Sequence, residues 1–219
     1  MNRDISFRHY RQADLPVCAT IAGEAFPLVV GRFVGEDMGK VMKGQIDGSR
    51  AMSNYQDLAL ADGKAVGLIF GRLKREPVLI SMCRTLKRLI LIMGRFLLGK
   101  YGNRRKLIRL VKPGLQALRV LRRNRPASEA EIVLFAVAQE YRGTGIGRAL
   151  MDRFVSQARC HKATSISVPT DETASFWFYE KYGFTRWSEF HDPMESYCAG
   201  RPIKGFIYRL VLGSASGQE

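Results

Sequence analysis

The chain has 219 residues, 46% of them hydrophobic and 25% charged, which excludes a disordered polymer and fits one domain with an elaboration. Its formal net charge is +15, and that charge is concentrated: Gly71 to Arg125 holds 17 basic residues and one acidic residue, Glu76, for +16. The remainder, 18 basic and 19 acidic residues, is close to neutral, so the basicity belongs to one segment rather than to the whole surface.

No uncharged apolar run reaches the 18 residues of a membrane span, and MNRDISFRHYRQADL contains no apolar stretch of signal-peptide length. A cytoplasmic location is the expectation. Cys18, Cys83, Cys160 and Cys198 are scattered and form no CxxC pair, which predicts reduced thiols and no metal site.

In chain order, ISFRHY (5–10) alternates like a short strand, and Asp14 stands as N-cap before Leu15, Val17, Cys18, Ile21, Ala22 and Ala25 at helical spacing. A glycine-interrupted helix is predicted within 31–52. Residues 55–73 read as two strands joined by Asp62-Gly63, a dipeptide that tolerates the positive φ of a tight hairpin.

The basic segment carries two helical stripes. The first is Leu79, Met82, Cys83, Leu86, Leu89, Ile90, Met93, Phe96 and Leu97. The second is Leu107, Leu110, Val111, Leu118 and Leu121, with a kink or restart expected at Pro113-Gly114. EIVLFAV (131–137) is an almost unbroken apolar run, as for a strand buried on both faces. Strands are predicted at 164–168, 184–190 and 205–212, a short helix ending at Gly183 lies between the first two, and 214–219 is expected to fray.

The densest signal is EYRGTGIGRALM (140–151), where Gly143, Gly145 and Gly147 lead straight into an amphipathic helix. Bare backbone at a helix N-terminus exposes unsatisfied N–H groups at the positive end of the macrodipole, which suits an anion; a tight strand-to-helix turn would also use such glycines. The chain has no GxxxxGK[ST], and these glycines lack GxGxxG spacing, so P-loop and dinucleotide-binding readings are disfavoured.

Arg142-Gly143-Thr144-Gly145-Ile146-Gly147 resembles the Gln/Arg-x-x-Gly-x-Gly/Ala pyrophosphate motif of the GNAT family of N-acetyltransferases. One helix and one strand later, Phe178-Tyr179-Glu180-Lys181-Tyr182-Gly183-Phe184 resembles that family's FYEKxGF segment. The resemblance covers residues 1 to about 72 and 128 to 212 and leaves the basic segment outside. It implies an α/β (α+β) acyl-CoA N-acyltransferase fold: a central mixed sheet flanked by helices in a single domain (1–213), with a basic helical insertion (74–125) between the third and fourth strands.

The same resemblance implies acetyl-CoA as acyl donor and direct attack by a primary amine of a small-molecule or peptide acceptor. Backbone at Phe135 and Val137 would face the pantetheine arm. The amides of Arg142, Gly143, Thr144, Gly145, Ile146, Gly147 and Arg148 would face the pyrophosphate. Tyr179 stands where the family places the acid that protonates the leaving thiolate, and Glu131 where its histone-modifying members place a general base; a core aromatic and a solvated strand end are the other readings of these two. Glu172 replaces an asparagine that usually helps hold the pantetheine.

The resemblance does not assign the basic segment. Helices packed on the core or on a second copy of the chain, a membrane-surface element, and a lid for an acidic acceptor are all open. A nucleic-acid contact is disfavoured, because only Phe96 and Tyr101 interleave with the charge. The alternative function, from another class, is a CoA-binding sensor without turnover that docks through these helices.

Overall fold

The computed structural model describes residues 4–26, 38–73 and 78–213, and for 78–85 and 89 the backbone alone. Seven strands form one sheet in the order β1-β2-β3-β4-β5-β7-β6. They are β1 (Ile5–His9), β2 (Tyr55–Ala61), β3 (Lys64–Leu73), β4 (Ala130–Val137), β5 (Ser165–Asp171), β6 (Thr185–His191) and β7 (Lys204–Val211). Every neighbouring pair is antiparallel except β4 and β5.

The helices are α1 (Leu15–Ala25), α2 (Met38–Ala51), α3 (Val78–Leu97), α4 (Arg104–Asn124), α5 (Ile146–Cys160), α6 (Trp177–Tyr182) and α7 (Pro193–Ala199). They cover both faces of the sheet. Cys18, Ile21, Met42 and Ile46 from α1 and α2 pack on Leu58, Leu68, Phe70 and Leu134. Leu150, Met151 and Phe154 from α5 pack on Ile69, Ile132 and Ile166 on the opposite face. The sheet is thus the middle of a three-layer sandwich, and one residue step along a strand switches a side chain between two cores.

The hairpin expected at Asp62-Gly63 is present, with φ of 49° and 77° at the two residues. Asp14 does precede α1, but its carboxylate does not cap that helix. It accepts from the Arg11 amide and from the Arg8 guanidinium, each at 2.7 Å, and so closes the turn before the helix. The predicted second helix is described from Met38 onward; residues 31–37 lie outside the described residues, as does the carboxy-terminal 214–219.

Pro113 neither breaks nor restarts its helix. α4 runs unbroken from Arg104 to Asn124, with Pro113 buried on its inner side. A proline removes one ladder hydrogen bond, and the packed inner face of a 21-residue helix outweighs that loss. Asn103 starts α4 by accepting from the amides of Arg105 and Lys106.

β4 also departs from expectation. Between Ile132 and Leu134 the register with β3 slips by one residue, so Val133 is a bulge. Before it Ala130 and Ile132 face the α5 side; after it Phe135 and Val137 do, while Leu134 and Ala136 turn to the α1 side. The strand is therefore not buried on both faces throughout: Val133, Phe135 and Val137 are only half-buried.

The segment between β3 and β4 is closed at its root by one carboxylate. Glu131, 5% exposed, pairs with Arg72 at the end of β3 and with Arg125 at the end of α4. Farther out, buried Asp47 of α2 accepts from Arg95 at 2.5 Å and from the Tyr101 hydroxyl at 2.8 Å. Removing a buried partner that two cations share leaves both underpaired, at a cost of about 2–3 kcal/mol once their partial exposure is allowed for. Glu131→Ala is therefore expected to lower Tm by roughly 5–10 °C by calorimetry, and Glu131→Gln by less.

Candidate functional site

β4 and β5 are hydrogen-bond partners only at their beginnings, Ala130 with Ile166 and Glu131 with Ser167. Beyond that point the two strands part, and the bulge at Val133 lies where they begin to do so. A cleft of about 550 Å³ opens there, lined by β4 from Ile132 to Val137 and by β5 from Val168 to Asp171. The β4 edge in this cleft offers backbone groups with no strand beside them, a place for an extended polar ligand to lie as a strand would.

One end of the cleft is the glycine loop. Gly143 and Gly145 have φ of 79° and 90°, a left-handed conformation that side chains with a Cβ rarely adopt. Gly147 serves differently: a Cβ there would sit 3.3 Å from the Phe135 ring and 3.6 Å from Phe178, so its absence lets α5 approach β4 closely. Gly145 is the N-cap residue and has no side chain to accept the first-turn amides of α5. Those amides, at Ile146, Gly147 and Arg148, remain available to an anion at the helix's positive end.

The loop is braced by its own polar side chains. Arg142 donates from Nε to the Val137 carbonyl at 3.1 Å and from Nη2 to the Glu24 carbonyl at 3.2 Å, and Thr144 Oγ1 donates to the Tyr141 carbonyl at 2.7 Å. The Ile146 side chain is buried in the core, so only its backbone faces the loop's concave side. Gly143, Gly145, Gly147, Arg142 and Arg148 all line the cleft together with Phe135 and Val137.

Tyr179 lines the same cleft from α6 and is 8% exposed. Its ring lies 6.4 Å from Phe135, 5.7 Å from Phe184 and 6.0 Å from Tyr208, an aromatic bed that fixes its direction. Burial, with the nearby Asp171 charge adding to it, raises the phenol's pKa well above its ordinary value, so it stays protonated at neutral pH.

Glu131 is not brought to this cleft. It sits at the closed end, where β4 and β5 are still paired, with its oxygens engaged by Arg72 and Arg125. Glu172 is also turned away, paired with Arg201 at 3.1 Å.

The sequence reading passed over α7, which supplies a different carboxylate. Glu195 lines the cleft beside Asp171 and Asp192, and burial, reinforced by those two carboxylates, raises its pKa to about 7. Asp192 caps α7 by accepting from the amides of Met194 and Glu195 at 2.9 and 3.0 Å. Gln45 and Ser49 of α2 and Leu121 of α4 complete the lining, and the Gln45 side-chain oxygen is buried with no hydrogen-bond partner among the described residues. An unpaired buried acceptor in a cleft is costly unless a ligand satisfies it.

Residues 111–186, from within α4 through the bulged strand, glycine loop and Tyr179 helix, match the model of the acetyltransferase (GNAT) domain. Over that stretch the chain is similar to the GNAT acetyltransferase domain. Solved structures sharing this fold include the ribosomal-protein-S18-alanine N-acetyltransferase of Escherichia coli, 12% identical, with a TM-score of 0.58 over 99% of this chain and 98% of that one. The ribosomal-protein-alanine N-acetyltransferase of Brucella melitensis is 18% identical, with a TM-score of 0.54 over 94% and 99%. The structure of yncA from Salmonella typhimurium, solved with its cofactor acetyl-CoA, is 13% identical, with a TM-score of 0.54 over 98% of both chains. None of the curated proteins matches the GNAT chain in sequence.

Proposed function

We propose that this GNAT domain transfers the acetyl group of acetyl-CoA to a primary amine by direct attack of the amine on the thioester. The observation that carries this reading is the cleft itself, which joins an uncapped glycine-loop helix to a protonated phenol and a carboxylate poised near neutrality. Acetyl-CoA supplies the activated acyl group. The amides from Arg142 to Arg148 hold its pyrophosphate, and the free β4 edge at Phe135 and Val137 takes its pantetheine arm.

Glu195 accepts the proton that the amine must lose, directly or through water, and takes the role that sequence position had suggested for Glu131. A carboxylate whose pKa is near 7 is both substantially ionised and appreciably basic at neutral pH. Tyr179 gives a proton to the sulfur as the carbon–sulfur bond breaks, so amide and free thiol leave together. Asp171, Asp192 and Glu195 make the acceptor walls acidic, which favours a cationic amine over an anionic acceptor, and Gln45 offers an acceptor oxygen to its N–H groups.

The test couples calorimetry with release of free thiol across a panel of amines. Acetyl-CoA is expected to bind in the micromolar range, and Gly145→Val to weaken it at least tenfold, because the φ of 90° is lost and a side chain enters the anion cradle. Absence of acetyl-CoA binding would remove the donor. Binding without thiol release on any amine would favour the sensor.

A further inference from the structure

α3 and α4 each leave a line of large apolar side chains facing outward. On α3, Leu86, Ile90, Met93 and Leu97 stand at i, i+4, i+7 and i+11 and so share one stripe, and each is 57–63% exposed. Among the described side chains, polar contacts tie α3 to the domain: Arg95 reaches Asp47, and Arg88 donates to the backbone carbonyls of Arg50 and Ser53. On α4, Ile108, Val111, Leu115 and Leu118 form a second outward stripe at 50–58% exposure, while Leu107, Leu110 and Leu121 take the inner side.

Water-exposed single apolar residues are ordinary, but an outward stripe of four large side chains on each of two consecutive helices is not. Alongside the α4 stripe run Arg105, Arg109, Lys112, Arg119 and Arg123, all exposed. An apolar line bordered by a cationic line is what an anionic lipid interface recognises: acyl-chain boundary for the first, headgroup phosphates for the second.

We propose that the outward face of α3 and α4 docks this protein on the surface of an anionic phospholipid bilayer. The charge decides among occupants. A second copy of the chain would bring another segment of +16 against the first, which repels. A nucleic acid would satisfy the cations and leave both apolar stripes in water. No described helix is long and apolar enough to cross a membrane, so the contact is interfacial. The proposal does not depend on acetyl transfer, and its readout is binding alone.

The test is co-sedimentation of the full chain with vesicles of phosphatidylcholine alone and with roughly one-third phosphatidylglycerol added. Binding to the anionic vesicles is expected to be at least about tenfold tighter and to weaken with salt. A variant combining Ile90→Gln, Met93→Gln, Ile108→Gln and Leu115→Gln alters exposed positions only and should fold, as circular dichroism checks. It should lose about tenfold in that binding. Arg105→Gln with Arg109→Gln and Lys112→Gln should abolish the preference for anionic vesicles.

Three results would each overturn the proposal. One is equal binding to both vesicle types, or to neither. Another is anionic binding untouched by the apolar substitutions, which would be mere charge adsorption. The third is a dimer in analytical ultracentrifugation that the apolar variant dissociates, in a chain that ignores vesicles.

Discussion

Tyr179→Phe is expected to lower kcat about 100-fold while leaving acetyl-CoA affinity within roughly a factor of two. The phenol ring is part of an aromatic bed with Phe135, Phe184 and Tyr208, and phenylalanine keeps every one of those contacts. Only the hydroxyl is lost, so a fall in kcat without a matching loss of binding assigns the effect to proton donation. Because burial holds the pKa of this phenol above its ordinary value, the acid limb of its titration lies far from neutrality and should not shape the pH profile below pH 9 or so. An undiminished rate in the variant would return Tyr179 to a packing role.

Glu195→Gln is the second large expected effect, again about 100-fold in kcat at neutral pH, and it carries a pH signature. A general base acts in its ionised form, so the wild-type rate should climb as pH rises through about 7 and level off above it. The glutamine variant should lose that rise. The same group also bears on stability: its folded pKa of about 7 lies above the ordinary glutamate value of 4.5, so the folded state binds more protons between the two. Stability from this site is therefore present at low pH and declines as pH rises through that window. Glu131→Gln is the control. It should keep activity within about threefold of wild type, and a large loss in a folded Glu131 variant would restore that residue as the base.

The glycine-loop end of the candidate site was legible because its geometry is local. Left-handed turns need glycine, and the helix that follows needs no cap if an anion serves as one, so Gly143 and Gly145 announce themselves in a few consecutive letters, with Gly147 beside them kept bare for close packing. The hairpin at Asp62-Gly63 was legible for the same reason. The helix carrying Glu195 was also written in the sequence, as an Asp192 cap, Pro193 at its first position and Gly200 at its end, but its few apolar residues give no stripe.

What the letters did not carry is what comes together from afar. Glu131 looks like a free strand-opening carboxylate until Arg72 and Arg125 arrive on either side. The raised pKa of Glu195 needs Asp171 from another element. The bulge at Val133 is a matter of register with β3 and leaves no mark in an apolar run. The expected α4 stripe is split, with Leu107, Leu110 and Leu121 turned inward and Val111 and Leu118 outward. Of the expected α3 stripe, the side chains of Leu79, Met82, Cys83 and Leu89 lie outside the described ones, while Leu86, Ile90, Met93 and Leu97 face outward. Spacing alone does not say how a helix is rolled, and Arg88 and Arg95 hold α3 by its other side.

The clasp at Glu131 has a consequence for the length of the segment it closes. Arg72 and Arg125 meet on one side chain, so everything between them leaves and rejoins the sheet at a common neck. Closing a loop ten times longer costs only about 2 kcal/mol of chain entropy, a sum that a buried ion triad at the neck can offset. The segment beyond that neck can therefore lengthen at little cost while the β3–β4 ladder stays in register. The sheet and its outward-facing helices are joined at one buckle, so the load of holding the segment at its root falls on a single carboxylate.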